Sequence, residues 1–423
     1  MHHAAAHFSS ESDNRSFFAN RLIRSILFSA VFLQLGIWIR NFAILLFVTE
    51  QTNKDPIAVS LISVAEYAPI FIFSFIGGAF ADRWRPKRTM VFCDLLSAVS
   101  VFIVLLALTF GGWQAIFFAT LVSSILSQFS QPAGMKLFKL HVPASQMQMG
   151  MSMYQTIQAI FMIVGPVLGT LVYFRFGVHT AVVLIGICFL LSAAVLTTLP
   201  KDRAAPSVQP ARLTEDIKSG LHYVLANKIF LYMASFFLAA GLALGIINPL
   251  GVFVVTEHLG LQAEQLQWLT AMNGAGILLG GMFMMSLFRR MPPRVMLMVG
   301  FLCSSAAVAI IGTTTSTGAA FAAQFAAGFF VPFIHISCQT IMMSHAEEAY
   351  VGRVSGIMNP IFIGGMVLTM SIVGILKANL PLGVLYGMAA ALFLVGAIGV
   401  VPLLRHKQSG PAAATAHAGG FRH

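Results

Sequence analysis

Charge is what this sequence has least of. Only 9% of its 423 residues are Asp, Glu, Lys or Arg, against roughly a quarter in an ordinary soluble domain. A chain so poor in charge cannot keep its surface in water, and 58% of its residues are hydrophobic with a mean hydropathy of +0.85. Lipid must therefore be the solvent for most of it. Cysteine is scarce too: Cys93, Cys188, Cys303 and Cys338 lie far apart inside apolar runs. They have no metal-ligand spacing and read as reduced packing residues, so no metal site is expected. There is no nucleotide-binding loop, which excludes direct drive by ATP from this chain, and no cofactor is expected. A polytopic membrane enzyme would bring a cluster of His, Asp and Glu at one face, and none is present. The formal net charge of +11 and pI near 9.8 would suit a nucleic-acid partner. The basic residues, however, sit in short connectors between apolar runs and form no continuous face, so that partner is excluded.

What is present is a succession of apolar runs about 20 residues long, the length that carries a helix across the hydrocarbon core. Twelve are read, at roughly 25–49, 57–80, 89–111, 113–135, 150–174, 178–199, 229–255, 265–288, 295–314, 318–343, 354–376 and 382–404. They are continuously apolar, where a β-barrel needs alternation. The first continues to Val48, too long for a signal-peptide core, and no small-residue cleavage site follows it. The connectors on one side hold 21 Lys and Arg, and those on the other only Lys54, Arg175 and Lys377. The positive-inside rule then puts both termini of this multi-pass protein in the cytoplasm.

The longest internal connector divides the spans six and six. The expected organisation is a cytoplasmic tail at 1–24, a six-helix bundle at 25–199, a cytoplasmic linker at 200–228, a second six-helix bundle at 229–404 and a cytoplasmic tail at 405–423. His2, His3 and His7 read as flexible tail residues. In the linker, Leu213, Ile217, Leu221 and Val224 recur at helical spacing, which predicts an amphipathic helix against the protein or the headgroups. The halves echo one another weakly: Gly77-Gly78 leads to Pro86-Lys87-Arg88, and Gly280-Gly281 leads to Pro292-Pro293-Arg294. Two such halves around a midplane cavity is a transporter plan.

Two motifs sharpen that plan. Gly78-Ala-Phe-Ala-Asp82-Arg83-Trp-Arg85-Pro86-Lys87-Arg88 joins spans two and three. A carboxylate at a helix end among several cations can cap a neighbouring helix and hold two helices in one state. In span five, Gly165-Pro166 and Gly169 permit close helix contact and a bend. The first motif resembles the signature loop of the major facilitator superfamily, Gly-x-x-x-Asp-Arg-x-Gly-Arg-Lys/Arg, with Arg85-Pro86 where that family has Gly-Arg. The second is similar to the Gly-x-x-x-Gly-Pro-x-x-Gly-Gly motif of its antiporter branch, with Phe161 and Thr170 in place of the outer glycines. Ala81-Asp82-Arg83, Gln131-Pro132-Ala133 and the helix from Glu215 to Asn227 look most like the proton-driven bacterial efflux group that holds macrolide exporters and the enterobactin exporter. The resemblance covers about 20–404. It implies an all-α membrane protein of twelve transmembrane helices in two six-helix bundles, exporting a drug or siderophore in exchange for protons.

Candidate site residues follow from polarity inside the apolar runs. Ser124, Ser127, Gln128 and Gln131 recur at i, i+3, i+4 and i+7 and form one polar face on span four. Gln155 and Gln158 lie near the same depth, and Asn248, Asn273, Gln324, Gln339 and Asn359 are their scattered counterparts in the second half. All are read as cavity-lining candidates for a small-molecule substrate, with interhelical hydrogen bonding as the alternative. Embedded ionisable residues are costly unless paired or functional, which makes Glu66, Arg40, Asp94 and His335 the proton-coupling candidates. Arg40 and Glu66 fall at matching depth on neighbouring spans and are expected to face each other, while Asp94 is expected to pair with Arg83 or Lys87. The second half has no embedded carboxylate, because Glu257, Glu264, Glu347 and Glu348 lie in connectors; that weakens a strictly cationic cargo. The expected function is proton-coupled efflux of a small amphiphilic compound by a monomer in the bilayer. The alternatives are a siderophore or metallophore exporter of the same fold and, from another class, a lipid scramblase or membrane enzyme.

Overall fold

A computed structural model of the chain describes residues 21–142, 144–199, 213–287, 291–347 and 350–405, without the side chains of 74–83, 139, 141, 144, 145, 213–217, 285, 287 and 405. His2, His3 and His7, the 200–212 part of the linker and the tail after 405 lie outside these residues. Among the described residues the regular structure is helical, with no strand. An apolar backbone in lipid must satisfy its own hydrogen bonds, and a helix does so within one segment.

In chain order the helices are α1 (Arg21–Gln51), α2 (Pro56–Arg83), α3 (Pro86–Thr109), α4 (Ala115–His141), α5 (Ala144–Thr197), α6 (Leu213–Ala226), α7 (Lys228–Phe253), α8 (Leu266–Leu287), α9 (Pro293–Thr313), α10 (Thr317–His345), α11 (Val351–Asn379) and α12 (Leu382–Arg405). Each of the twelve expected segments falls on a helix, but nine helices among the described residues are long and apolar enough to cross a membrane by length and composition. The difference has identifiable sources. α5 holds two expected segments in one run that breaks at Gly177, whose φ of 76° suits glycine and few other residues. α4 and α8 are not among the nine; α4 is diluted by its own Ser and Gln stripe.

The helices pack in a pattern that occurs twice. In the first half α1 lies along α5, α2 along α4, and α3 against α4 and α5. In the second, α7 lies along α11 and α12, α8 along α10, and α9 against α10 and α12. The halves meet where α2 crosses α11 and where α5 crosses α8. Glycine permits these approaches. A Cβ on Gly245 of α7 would stand 2.2 Å from the Met366 carbonyl of α11, and one on Gly374 of α11 would stand 2.6 Å from the Pro56 carbonyl of α2.

The repeated Pro-basic connectors acquire a common physical role. Pro86 and Pro293 occupy first-turn positions of α3 and α9, where a missing N–H costs nothing. Lys87 Nζ then donates to the Thr197 carbonyl at 2.8 Å and to that of Leu199, and Arg294 Nη1 donates to the Leu403 carbonyl at 2.8 Å. In each half a cation at the start of one helix thus satisfies carbonyls at the C-terminal end of another, where the helix dipole also favours positive charge.

The linker helix is present, and of its expected face the side chains of Leu213 and Ile217 lie outside the described residues. α6 lies against α11 and α7, with Val224 buried but Leu221 exposed. The contact is made by Gly220 against Arg353 and by Tyr223, whose ring stacks on Tyr350 at 4.3 Å between centroids and 10° between planes. The aliphatic spacing did not point to Tyr223, because a tyrosine is amphipathic and does not count as an apolar position.

Candidate functional site

Arg40 on α1 is 5% exposed. Burying a lone guanidinium in an apolar bundle costs several kcal/mol unless its donors are met, and here every nitrogen is. Nη1 donates to Ser123 Oγ at 2.6 Å, while Nε and Nη2 donate to Asn41 Oδ1 at 3.1 and 2.9 Å. Asn41 Nδ2 in turn donates to Glu66 Oε1 at 2.7 Å. Arg40 and Glu66 therefore belong to one cluster, but the expected face-to-face ion pair is replaced by an amide between them. A carboxamide is suited to that position because it accepts from a cation and donates to an anion at once. Sequence reasoning missed Asn41 and Ser123, having sought charges alone; the available signal was an uncharged polar residue directly beside an embedded Arg.

This cluster faces a cavity of about 320 Å³ between the halves. Trp38, Tyr67 and Thr120 line it from the first half, and Asn248, Asn273, Gln324 and Tyr386 from the second. Ile247, Asn248, Asn273 and Gln324 are shared with a second cavity of about 410 Å³ inside the second half. Phe236, Phe237, Phe301, Phe362 and Phe393 give that cavity aromatic walls, and His335 and Asn359 are among its few polar groups. The two adjoin at the four shared residues and together are called the chamber, with the charged groups on the first cavity and the aromatic walls on the second.

A third cavity, of about 200 Å³, lies within the first half on the other side of the Arg40 and Glu66 side chains, which also line it. Here the structure places the whole span-four stripe, Ser124, Ser127, Gln128 and Gln131, with Asp94. Asp94 is buried and accepts a hydrogen bond from Ser192 Oγ at 2.6 Å. Its expected partner Lys87 is instead engaged with the carbonyls ending α5, and the Arg83 side chain lies outside the described residues. So does that of Asp82, and Gly78 belongs to the same stretch, while Arg88 rests over the Phe92 ring at 5.6 Å. Gln155, Gln158 and Gln339 line none of these cavities.

The Gly165–Gly169 segment of α5 supports the cluster from behind. A Cβ on Gly165 would sit 2.4 Å from the Trp38 ring, and one on Gly169 would sit 2.8 Å from the Trp38 carbonyl. Those glycines let α1 approach until Trp38, two residues before Arg40, packs on bare α5 backbone. Pro166 has no N–H, so the Met162 carbonyl four residues earlier has no helical donor. Met162 lines the chamber, and its carbonyl would be 2.8 Å from a Cβ on Gly274 of α8. The Gly-Pro step thus also sits at the α5–α8 crossing between the halves.

Two helical halves with matching packing, meeting at a chamber that holds a buried charge cluster, describe a polytopic membrane transporter. The chain belongs to the Major Facilitator Superfamily, whose family model matches residues 26–253 and 233–422. Among its relatives, an uncharacterized MFS-type transporter, YkuC, of Bacillus subtilis (strain 168) is 24% identical over 396 residues, covering 89% of this chain and 91% of that protein. The multidrug efflux pump Tap of Mycolicibacterium fortuitum is 26% identical over 321 residues, covering 73% of this chain and 78% of its own. Of solved structures, the nucleoside transporter NupG superposes with a TM-score of 0.73 at 15% identity, over 91% of this chain and all of that one. A peptide transporter of the POT family in complex with sulfate gives a TM-score of 0.73 at 12% identity, over 91% and 94% of the two chains. These structures share the fold; the proteins named are transporters, not enzymes.

Proposed function

We propose that the chain exports a small amphiphilic compound in exchange for protons, by alternating access of two six-helix bundles, 25–199 and 229–404, around the chamber. The observation that carries this reading is the chamber itself. Its volume suits a drug-sized molecule; its aromatic end would take an apolar body, and Arg40, Asn41 and Glu66 would meet a polar head. Glu66 is the embedded carboxylate facing the cargo space, and so the leading proton carrier. A carboxylate whose contact with Asn41 and Arg40 changes as the halves rock would change its hold on a proton in step. Efflux as the direction is supported by the relative named as a multidrug efflux pump.

The same reading carries twelve crossings, both termini in the cytoplasm, a monomer and a bacterial cell membrane. Cytoplasmic tails at 1–24 and 405–423 and a cytoplasmic linker at 200–228 complete it. The embedded cation of the chamber, Arg40, is balanced by Glu66, so its charge does not by itself select a cationic drug over a siderophore. Transport decides between them. Purified protein in proteoliposomes with an imposed pH gradient is offered ethidium, a macrolide and a catecholate siderophore. The expected result is gradient-driven accumulation of an amphiphilic probe, reduced to background by Glu66→Gln while probe binding survives. Accumulation of the siderophore alone would transfer the protein to metallophore export. Undiminished pH-driven transport in Glu66→Gln would remove Glu66 as the proton carrier.

A further inference from the structure

Two carboxyl groups and one cation line the 200 Å³ cavity inside the first half: Glu66 from α2, Asp94 from α3 and Arg40 from α1. Among the described residues, the other groups facing Asp94 are uncharged. α4 offers serine and glutamine side chains, α5 the Ser192 hydroxyl, and α3 itself Cys93. With both carboxyls ionised, the described groups lining the cavity would carry one negative charge in excess, which is strongly unfavourable away from water. One proton shared between them removes that excess.

The cavity is built to pass it. Ser124 and Ser130 are 2% and 3% exposed and line the cavity, and their Oγ atoms have no hydrogen-bond partner. Buried hydroxyls are seldom left so, and a polar cavity of about 200 Å³ has room for several waters at about 30 Å³ each. Beyond Asp94 the polar chain continues. Ser192 spends its single O–H on Asp94, so in the 2.8 Å contact between Ser29 and Ser192 it is Ser29 that donates.

We propose that Glu66 and Asp94 are the two ends of a proton relay through the first bundle, joined by water held between them by Ser124 and Ser130. This deepens the antiport reading and rests on it for its physiological use. In the transfer, protonated Glu66 gives its proton to the adjoining water, each water passes one on, and the Asp94 carboxylate receives one. One O–H bond breaks and one forms at each hop, and net charge is conserved. The relay carries protons from Glu66, which also lines the cavity between the halves, to Asp94 inside the first half.

The test uses no cargo. Infrared difference spectra of the full-length protein in lipid, taken between acidic and alkaline buffer, read the C=O stretch of protonated carboxyl groups. A band that disappears in Asp94→Asn, and whose midpoint in Glu66→Gln moves about one unit to lower pH, is the expected result, because coupled sites titrate as a pair. Ser124→Ala with Ser130→Ala should uncouple the two while leaving the Asp94 band in place, which shows that the protein is folded. A band unaffected by Asp94→Asn, or one whose midpoint ignores Glu66→Gln, overturns the relay. So does a band abolished by sodium but not by choline, since the cavity would then hold a metal cation. A wild type with the coupled band but no pH-driven transport would leave the relay standing and remove the antiport reading.

Discussion

Asn41 takes part in three of the four hydrogen bonds that join Arg40, Ser123 and Glu66. Its amide can lie only one way round: the oxygen must face the guanidinium and the nitrogen the carboxylate. Two substitutions separate its structural from its electrostatic contribution. Asn41→Leu leaves two guanidinium donors and one carboxylate oxygen unmet, at a cost of about 1–3 kcal/mol for each buried group without a partner. The melting temperature in detergent should fall, and pH-driven transport should be lost with it. Asn41→Asp keeps an acceptor for Arg40 but sets a second carboxylate against Glu66, so the pair must hold a proton to stay together. That variant should keep its melting temperature in acidic buffer and lose pH-driven transport. Normal transport by Asn41→Asp would mean that Glu66 does not exchange its proton through this contact.

Among the helices, the informative contrast is between a glycine that joins helices within a half and one that joins the halves. Gly245 of α7 meets the Met366 carbonyl of α11, and backbone cannot move aside as a side chain can. Overpacking there should cost about 1–3 kcal/mol or more, so Gly245→Val is expected to reduce folded protein in the membrane. Gly274 of α8 instead meets Met162 across the α5–α8 crossing. The two halves can yield by rocking apart there, so Gly274→Val should spare folding and shift the conformational balance. Labelling of a cysteine at Asn248, on the chamber wall, reports that shift; unchanged labelling with lowered stability would make the crossing an ordinary packing contact. The paired cations supply a second test at this scale. Lys87→Ala and Arg294→Ala each remove a cation from a helix C-terminal end, worth about 0.3–1 kcal/mol. Their effects on thermal stability should match, because the two halves use the same device.

For the whole molecule, the expected arrangement in the bilayer makes a direct prediction. Cysteines placed near Thr52, Ala263 and Thr315 should react with an impermeant reagent from outside, and those near Trp84, Ala205 and Pro292 should not. Labelling at Ala205 from outside would overturn the division into two six-helix bundles. The crossings of α2 with α11 and of α5 with α8 hold the halves together. A transporter that rocks about them needs these contacts to be close but not welded, and bare glycine against backbone carbonyl meets both needs.

The all-helical membrane class was legible from the chain alone, because lipid imposes one rule on every apolar run of sufficient length: the backbone must close its own hydrogen bonds. The repeat was legible in outline for the same reason, and the doubled Pro-basic connectors marked positions whose partners, the Thr197, Leu199 and Leu403 carbonyls, no local pattern could name. The embedded charges stood out individually, since each is expensive in hydrocarbon. Their wiring did not, for hydrogen bonds between helices depend on which faces meet, and that is settled by packing across the bundle. So Asn41 came between Arg40 and Glu66, Ser192 donates to Asp94 while Lys87 turns to the carbonyls ending α5, and the span-four stripe turned into the first half instead of the chamber. The aromatic end of the chamber was likewise invisible in a chain with 37 phenylalanines, because only tertiary structure decides which of them face lipid, which pack, and which line a cavity.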